Sequence, residues 1–158
     1  MTNYNDFDDD QITYYVYNLN WHLPQEIQNE AMEMLSHLPP EKVGMLLPTY
    51  GKECWENAVH LLKEMGYPRN KEALPKLAGL LQDRNWPGAL EAIQLFEELG
   101  TTISVPHIEK ECEKAAEAHD GDWLEHLYFA VEQLGIDAHD FRNPVLYETM
   151  KKAAEVLD

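Results

Sequence analysis

The stretch Asn85-Trp86-Pro87-Gly88-Ala89-Leu90-Glu91-Ala92-Ile93-Gln94-Leu95-Phe96-Glu97-Glu98-Leu99-Gly100 decides how the chain is read. Ala92, Ile93, Leu95, Phe96 and Leu99 fall eight, seven, five, four and one positions before the closing Gly100. That spacing is helical, and strand alternation cannot produce it. The start of the stretch reads as a joint between two helices. Asp83 or Asn85 can cap, Pro87 sits in the first turn, where its missing N–H costs little, and Trp86 fills the angle with the preceding helix.

The same frame recurs. Aligned without gaps on Gly66, Gly100 and Gly135, and on Pro39 in an earlier copy, five columns hold only apolar or aromatic side chains. They are Ala31, Ala58, Ala92 and Leu127; Met32, Val59, Ile93 and Tyr128; Met34, Leu61, Leu95 and Ala130; Leu35, Leu62, Phe96 and Val131; and Leu38, Met65, Leu99 and Leu134. The columns between them are polar apart from Phe129. Trp21, Trp55, Trp86 and Trp123 lead into the four copies, which predicts equivalent helices over 20–39, 54–66, 85–100 and 122–135.

Second helices are expected at 71–82, 105–118 and 143–157, each with a proline near its start (Pro75, Pro106, Pro144) and the last capped by Asn143. A shorter one covers 40–47 and stops at Pro48. Loops are expected at 66–70, 100–104, 119–122 and 135–140. The closing positions 39, 66, 100 and 135 lie 27, 34 and 35 residues apart. Two helices per period of about 34 residues is the mark of an α-solenoid. The expected fold is therefore all-α, an α-α superhelix of about four HEAT-like helix pairs. Ile12, Tyr15, Val16 and Leu19 share helical spacing after a capping Asp10 and predict an N-terminal capping helix, although Ile-Thr-Tyr-Tyr-Val-Tyr also has strand propensity. No linker or low-complexity stretch interrupts 1–158, so one domain is expected, with 1–10 a frayed start.

Composition narrows the partners. The chain has 158 residues, enough to bury roughly 70% of its unfolded surface in a single core. It carries 29 acidic against 12 Lys and Arg residues, a formal charge of −17, which disfavours nucleic acid and anionic membrane surfaces. Lys42 is the first Lys or Arg, so the N-terminal quarter is purely anionic, and the run Asp8, Asp9, Asp10 within it is a candidate docking surface for a basic partner. Cys54 and Cys112 have neither metal-like nor redox-like spacing, and no secretory or membrane-spanning segment is recognisable, so a reducing cytoplasm is expected.

Candidate chemical centres are few. His119, Asp120, Asp122 and His126 cluster at a helix start and could ligate a zinc-like ion, yet Asp122 before Trp123 is also the expected N-cap. His22, His37, His60, His107 and His139 are scattered, as solvated surface histidines are. No nucleophile elbow or phosphate-cradling glycine loop is present. Acidic pairs such as Glu97-Glu98 arise freely in a chain this acidic. Phe129, an aromatic in an otherwise polar column, is a candidate partner contact unless a terminal helix covers it.

The order Leu46-Leu47-Pro48, Trp55-Glu56-Asn57-Ala58, Gly66-Tyr67-Pro68, Leu74-Pro75-Lys76-Leu77, Asp83-Arg84-Asn85-Trp86-Pro87-Gly88-Ala89 and Trp123 resembles a family of small bacterial HEAT-like repeat domains of unknown function, with an Asp-x-Asn-Trp-Pro-x-Ala signature. The resemblance covers about two thirds of the chain. It implies macromolecular binding, and an immunity role beside a bacterial toxin is suspected for some such domains. It transfers no catalytic residue and no cofactor. The expectation is a non-enzymatic protein-binding module, with an immunity-type inhibitor as its finer form. The alternatives are a metal- or carboxylate-dependent enzyme centred on His119, Asp120, Asp122 and His126, and an acidic housekeeping or stress protein.

Overall fold

A computed structural model describes residues 7–157 of the protein. Among the described residues every regular element is helical and no strand occurs. None of these helices is long and apolar enough to cross a membrane. The contacts group the chain into two compact units, Met1–Leu77 and Ala78–Asp158. The division falls inside a helical stretch, which is why no linker composition marks it.

The first unit holds α1 (Asp9–Tyr17), α2 (Gln25–Leu35), a 3-10 helix (Pro40–Leu46) and α3 (Lys52–Met65). A 3-10 turn (Lys71–Ala73) then leads into α4 (Leu74–Gly79). The helical reading of the N-terminus holds, but its cap is Asp8, not Asp10. The Asp8 carboxylate accepts the Gln11 N–H at 2.8 Å and the Gln11 side chain accepts the Asp8 N–H at 3.2 Å, a reciprocal capping box. With that cap in place and Ile12 and Val16 buried, the strand propensity of the tyrosines is overridden. Residues 1–6 of the expected frayed start lie outside the described residues, while 8–10 form the cap and first turn of α1.

The second unit holds a 3-10 turn (Leu80–Gln82), α5 (Ala89–Leu99), α6 (Thr101–Glu117), α7 (Gly121–Leu134), a 3-10 turn (Ala138–Asp140) and α8 (Pro144–Leu157). Within it α7 packs against α8, α6 and α5. Phe96, Ile108 and Leu127 are fully buried in its core.

The repeat columns separate by burial as their spacing demands. Of the twenty apolar column side chains fourteen are buried and none is exposed, whereas none of the sixteen side chains between them is buried. The helix period was therefore the right template for all four copies.

Several boundaries differ from the expected ones, each for a local reason. α2 begins only after Pro24, which leaves Trp21 outside the helix and 42% exposed. α5 begins at Ala89 because Gly88 adopts a left-handed conformation (φ 85°), so Pro87 precedes the helix and does not lie in its first turn. The Asp83 carboxylate bonds the Asn85 N–H at 2.8 Å within the turn and caps no helix. The loop expected at 100–104 does not exist. Gly100 (φ 89°) ends α5 and starts α6 by itself, the Ser104 hydroxyl bonds the Phe96 carbonyl at 2.7 Å, and Pro106 falls inside the helix. At α7 the cap is Asp120, whose carboxylate accepts the Trp123 N–H at 3.1 Å, not Asp122.

Candidate functional site

One side of α7 gathers two of the residues that the sequence marks as unusual, His126 and Phe129, against the turn that carries Asp83 and Arg84. Arg84, in the turn before α5, lays its guanidinium over the Phe129 ring, 4.7 Å from the centroid. The same guanidinium donates to Glu125 Oε2 at 2.9 Å. Its backbone N–H donates to His126 Nδ1 at 3.2 Å, which makes that nitrogen the unprotonated one, and Nε2 lies 3.7 Å from Asp83 Oδ1. Glu125 and His126 are neighbours on α7, and Phe129 follows Glu125 by one helical turn, so the helix alone brings the three to one side. The aromatic in the polar column is thus half-buried and covered by Arg84, and this charge-matched clip ties the turn to α7.

The four candidate metal ligands do different work. His119 is exposed in a left-handed conformation (φ 52°) after the end of α6, Asp120 caps α7, Asp122 is exposed, and His126 belongs to the Arg84 clip. Among the described residues, one group of three places its ligand atoms within 4.8 Å of one another, and it is Asp137, His139 and Asp140. There the Asp140 carboxylate already accepts the Asp137 N–H at 2.8 Å, as the cap of a short turn. From sequence His139 reads as a scattered surface histidine, because no ligand-spacing rule links it to the two carboxylates.

Both cysteines are buried. Burial, then Glu53, pushes the Cys54 thiol up to about 11; burial, then Glu109, pushes Cys112 up to about 12. Their Sγ atoms lie 3.7 Å from the Tyr17 carbonyl and 3.3 Å from the Leu146 carbonyl, so each is a packed thiol and not a poised nucleophile. Tyr128 is also pushed up to about 12, by burial first, then by the Glu132 carboxylate and Tyr147.

The N-terminal acidic run is partly consumed. Asp8 is a cap, and Asp9 Oδ1 meets Lys42 Nζ at 2.8 Å, a bond that raises the lysine above its ordinary value; only Asp10 of the run has an exposed carboxylate with no structural duty in α1. Beside it lie exposed aromatic side chains that composition and repeat spacing leave unmarked. Tyr14 is 64% exposed, Tyr17 43% and Tyr50 82%. Tyr14 and Tyr17 lie one turn apart on α1, and the Tyr17 hydroxyl donates to the Tyr50 carbonyl at 3.2 Å. The signal was present in the spacing, since Asp10, Tyr14 and Tyr17 fall opposite the buried pair Ile12 and Val16.

Comparison with protein-family models, curated proteins and solved structures finds no match for the chain.

Proposed function

We propose that the protein is a non-catalytic helical module that binds a basic protein partner, built as an α-α superhelix of HEAT-like helix pairs. One observation carries this reading: the columns that the repeat helices turn outward hold unburied carboxylates in both units. Glu30, Glu33 and Glu64 in the first, and Glu97, Glu98 and Glu132 in the second, are all exposed. With a formal charge of −17, such a surface attracts a cationic partner over a Debye length and raises its association rate. Several groups with catalytic potential have structural work: Asp120 caps, His126 and Glu125 hold Arg84, and the thiols are buried and kept protonated.

The finer form of the reading is an immunity-type inhibitor of a basic bacterial toxin, which the Asp83–Ala89 signature supports by resemblance. The test is affinity capture with the full chain from its source cell, at low salt, followed by co-expression with the product of the neighbouring reading frame. A saturable basic partner whose toxicity or activity the chain suppresses is the expected result. Failure to capture any saturable partner removes the binding reading; a partner that is neither toxic nor inhibited removes only its immunity form.

A further inference from the structure

We infer that the partner docks on the Tyr14, Tyr17 and Tyr50 face of the first unit, and that this face takes a segment of the partner bearing arginine or lysine side chains. The inference rests on the proposed function and adds the place and the recognition chemistry.

Single exposed aromatics are ordinary on protein surfaces, but a contiguous group is not. Here Tyr14 and Tyr17 share one stripe of α1 by their i, i+3 relation, and the hydrogen bond from the Tyr17 hydroxyl to the Tyr50 carbonyl brings the backbone of the turn that carries Tyr50 to that stripe. The Tyr17 ring is also held in place. Gly51 has φ 125°, and a Cβ there would stand 3.1 Å from Tyr17 Cε1, so the turn carrying Tyr50 sits against the Tyr17 ring because residue 51 has no side chain. A ring fixed in this way loses little freedom on binding.

Charge selects the occupant. Asp10 stands one turn before Tyr14 on the same stripe, and no Lys or Arg occurs before Lys42, which is itself held by Asp9. An aromatic face with a carboxylate at its edge is the arrangement that accepts guanidinium and ammonium groups, by stacking on the ring and bonding to the carboxylate. A second copy of this chain, nucleic acid and an anionic bilayer would each bring like charge to that edge.

The test uses the full chain labelled with nitrogen-15 and an acetylated, amidated tetra-arginine peptide in low-salt buffer. The expected result is that amide shifts concentrate in α1 and at Tyr50 and Gly51, and that Tyr14→Ala/Tyr50→Ala, which changes no charge, weakens binding by about fivefold. The ring-preserving pair Tyr14→Phe/Tyr50→Phe should keep most of the affinity, and Val145→Ala/Val156→Ala in α8 should not alter it. The spectrum of each variant reports whether its fold is intact. Shifts spread over the carboxylates generally, with the alanine pair binding as tightly as wild type, would overturn the docking site while leaving a basic partner possible elsewhere. No binding by the wild-type chain would overturn both the site and the proposed function.

Discussion

Arg84 and Phe129 explain each other. A phenylalanine alone in a polar helical column looks like a partner contact, and an arginine alone in a turn looks like a solvated charge. Together they form a cation–π contact with a carboxylate behind it. Nothing in either local pattern signals the other, because the two meet only after α5 to α7 have packed. Arg84→Ala should lower stability by about 1–2 kcal/mol, measured as a fall in Tm, and Arg84→Lys should recover only part of it because an ammonium lacks the planar stacking face. The tryptophans separate in the same way. Trp55 is 6% exposed and its indole N–H bonds the Pro48 carbonyl at 2.8 Å, so Trp55→Ala should cost about 3–5 kcal/mol in chemical denaturation. Trp21, 42% exposed, should tolerate alanine within about 1 kcal/mol. By sequence position both read as helix lead-ins, but Trp55 lies inside α3 and is buried, whereas Trp21 precedes α2 and stays exposed. Titration of native protein with a thiol reagent should find Cys54 and Cys112 nearly unreactive until denaturant is added, since both thiols are buried and held protonated near neutral pH.

Helix existence was legible, and helix starts were not. The apolar columns fix the period because each misplaced residue would put a large side chain in water, a signal repeated over four copies. A start depends on one residue's φ or one carboxylate: Gly88 and Gly100 act through positive φ, and Asp8 and Asp120 cap where the neighbouring Asp10 and Asp122 are equally plausible by residue type. Proline and Asn143 did mark the start of α8 correctly, and the Asn143 side chain accepts the Val145 N–H at 3.2 Å. The stronger device there is distant in sequence: the Glu109 carboxylate receives the N–H groups of Arg142 at 2.9 Å and Asn143 at 2.8 Å, just before the N-terminus of α8. Glu109→Gln should weaken α8 by about 1 kcal/mol, seen as faster hydrogen exchange in its first turn. An unchanged exchange rate there would show that Asn143 and Pro144 hold the end unaided.

At the scale of the whole molecule, charge governs behaviour more than any one contact. Twenty-nine acids against twelve Lys and Arg residues repel one another in the folded state, so moderate salt should raise the Tm. Acidification acts in two opposed ways. It relieves carboxylate repulsion, but His107 is held below its ordinary 6.5, by burial first and then by Lys110. A lowered folded value means that the neutral ring is favoured by folding; its contribution is complete above 6.5 and is lost as the pH falls through the folded value. His107→Gln should therefore lose less stability than wild type on going from about pH 7 to pH 5. The acidity is legible in composition, but the two compact units and the exposed tyrosines are not, because both depend on which helices pack and which sides they leave outward. The most direct measurement is stopped-flow association of the full chain with the captured partner at about 20 and 200 mM salt. A steered basic partner predicts an association rate at least about tenfold slower at the higher salt, with dissociation little changed. Association that is indifferent to salt would contradict the account.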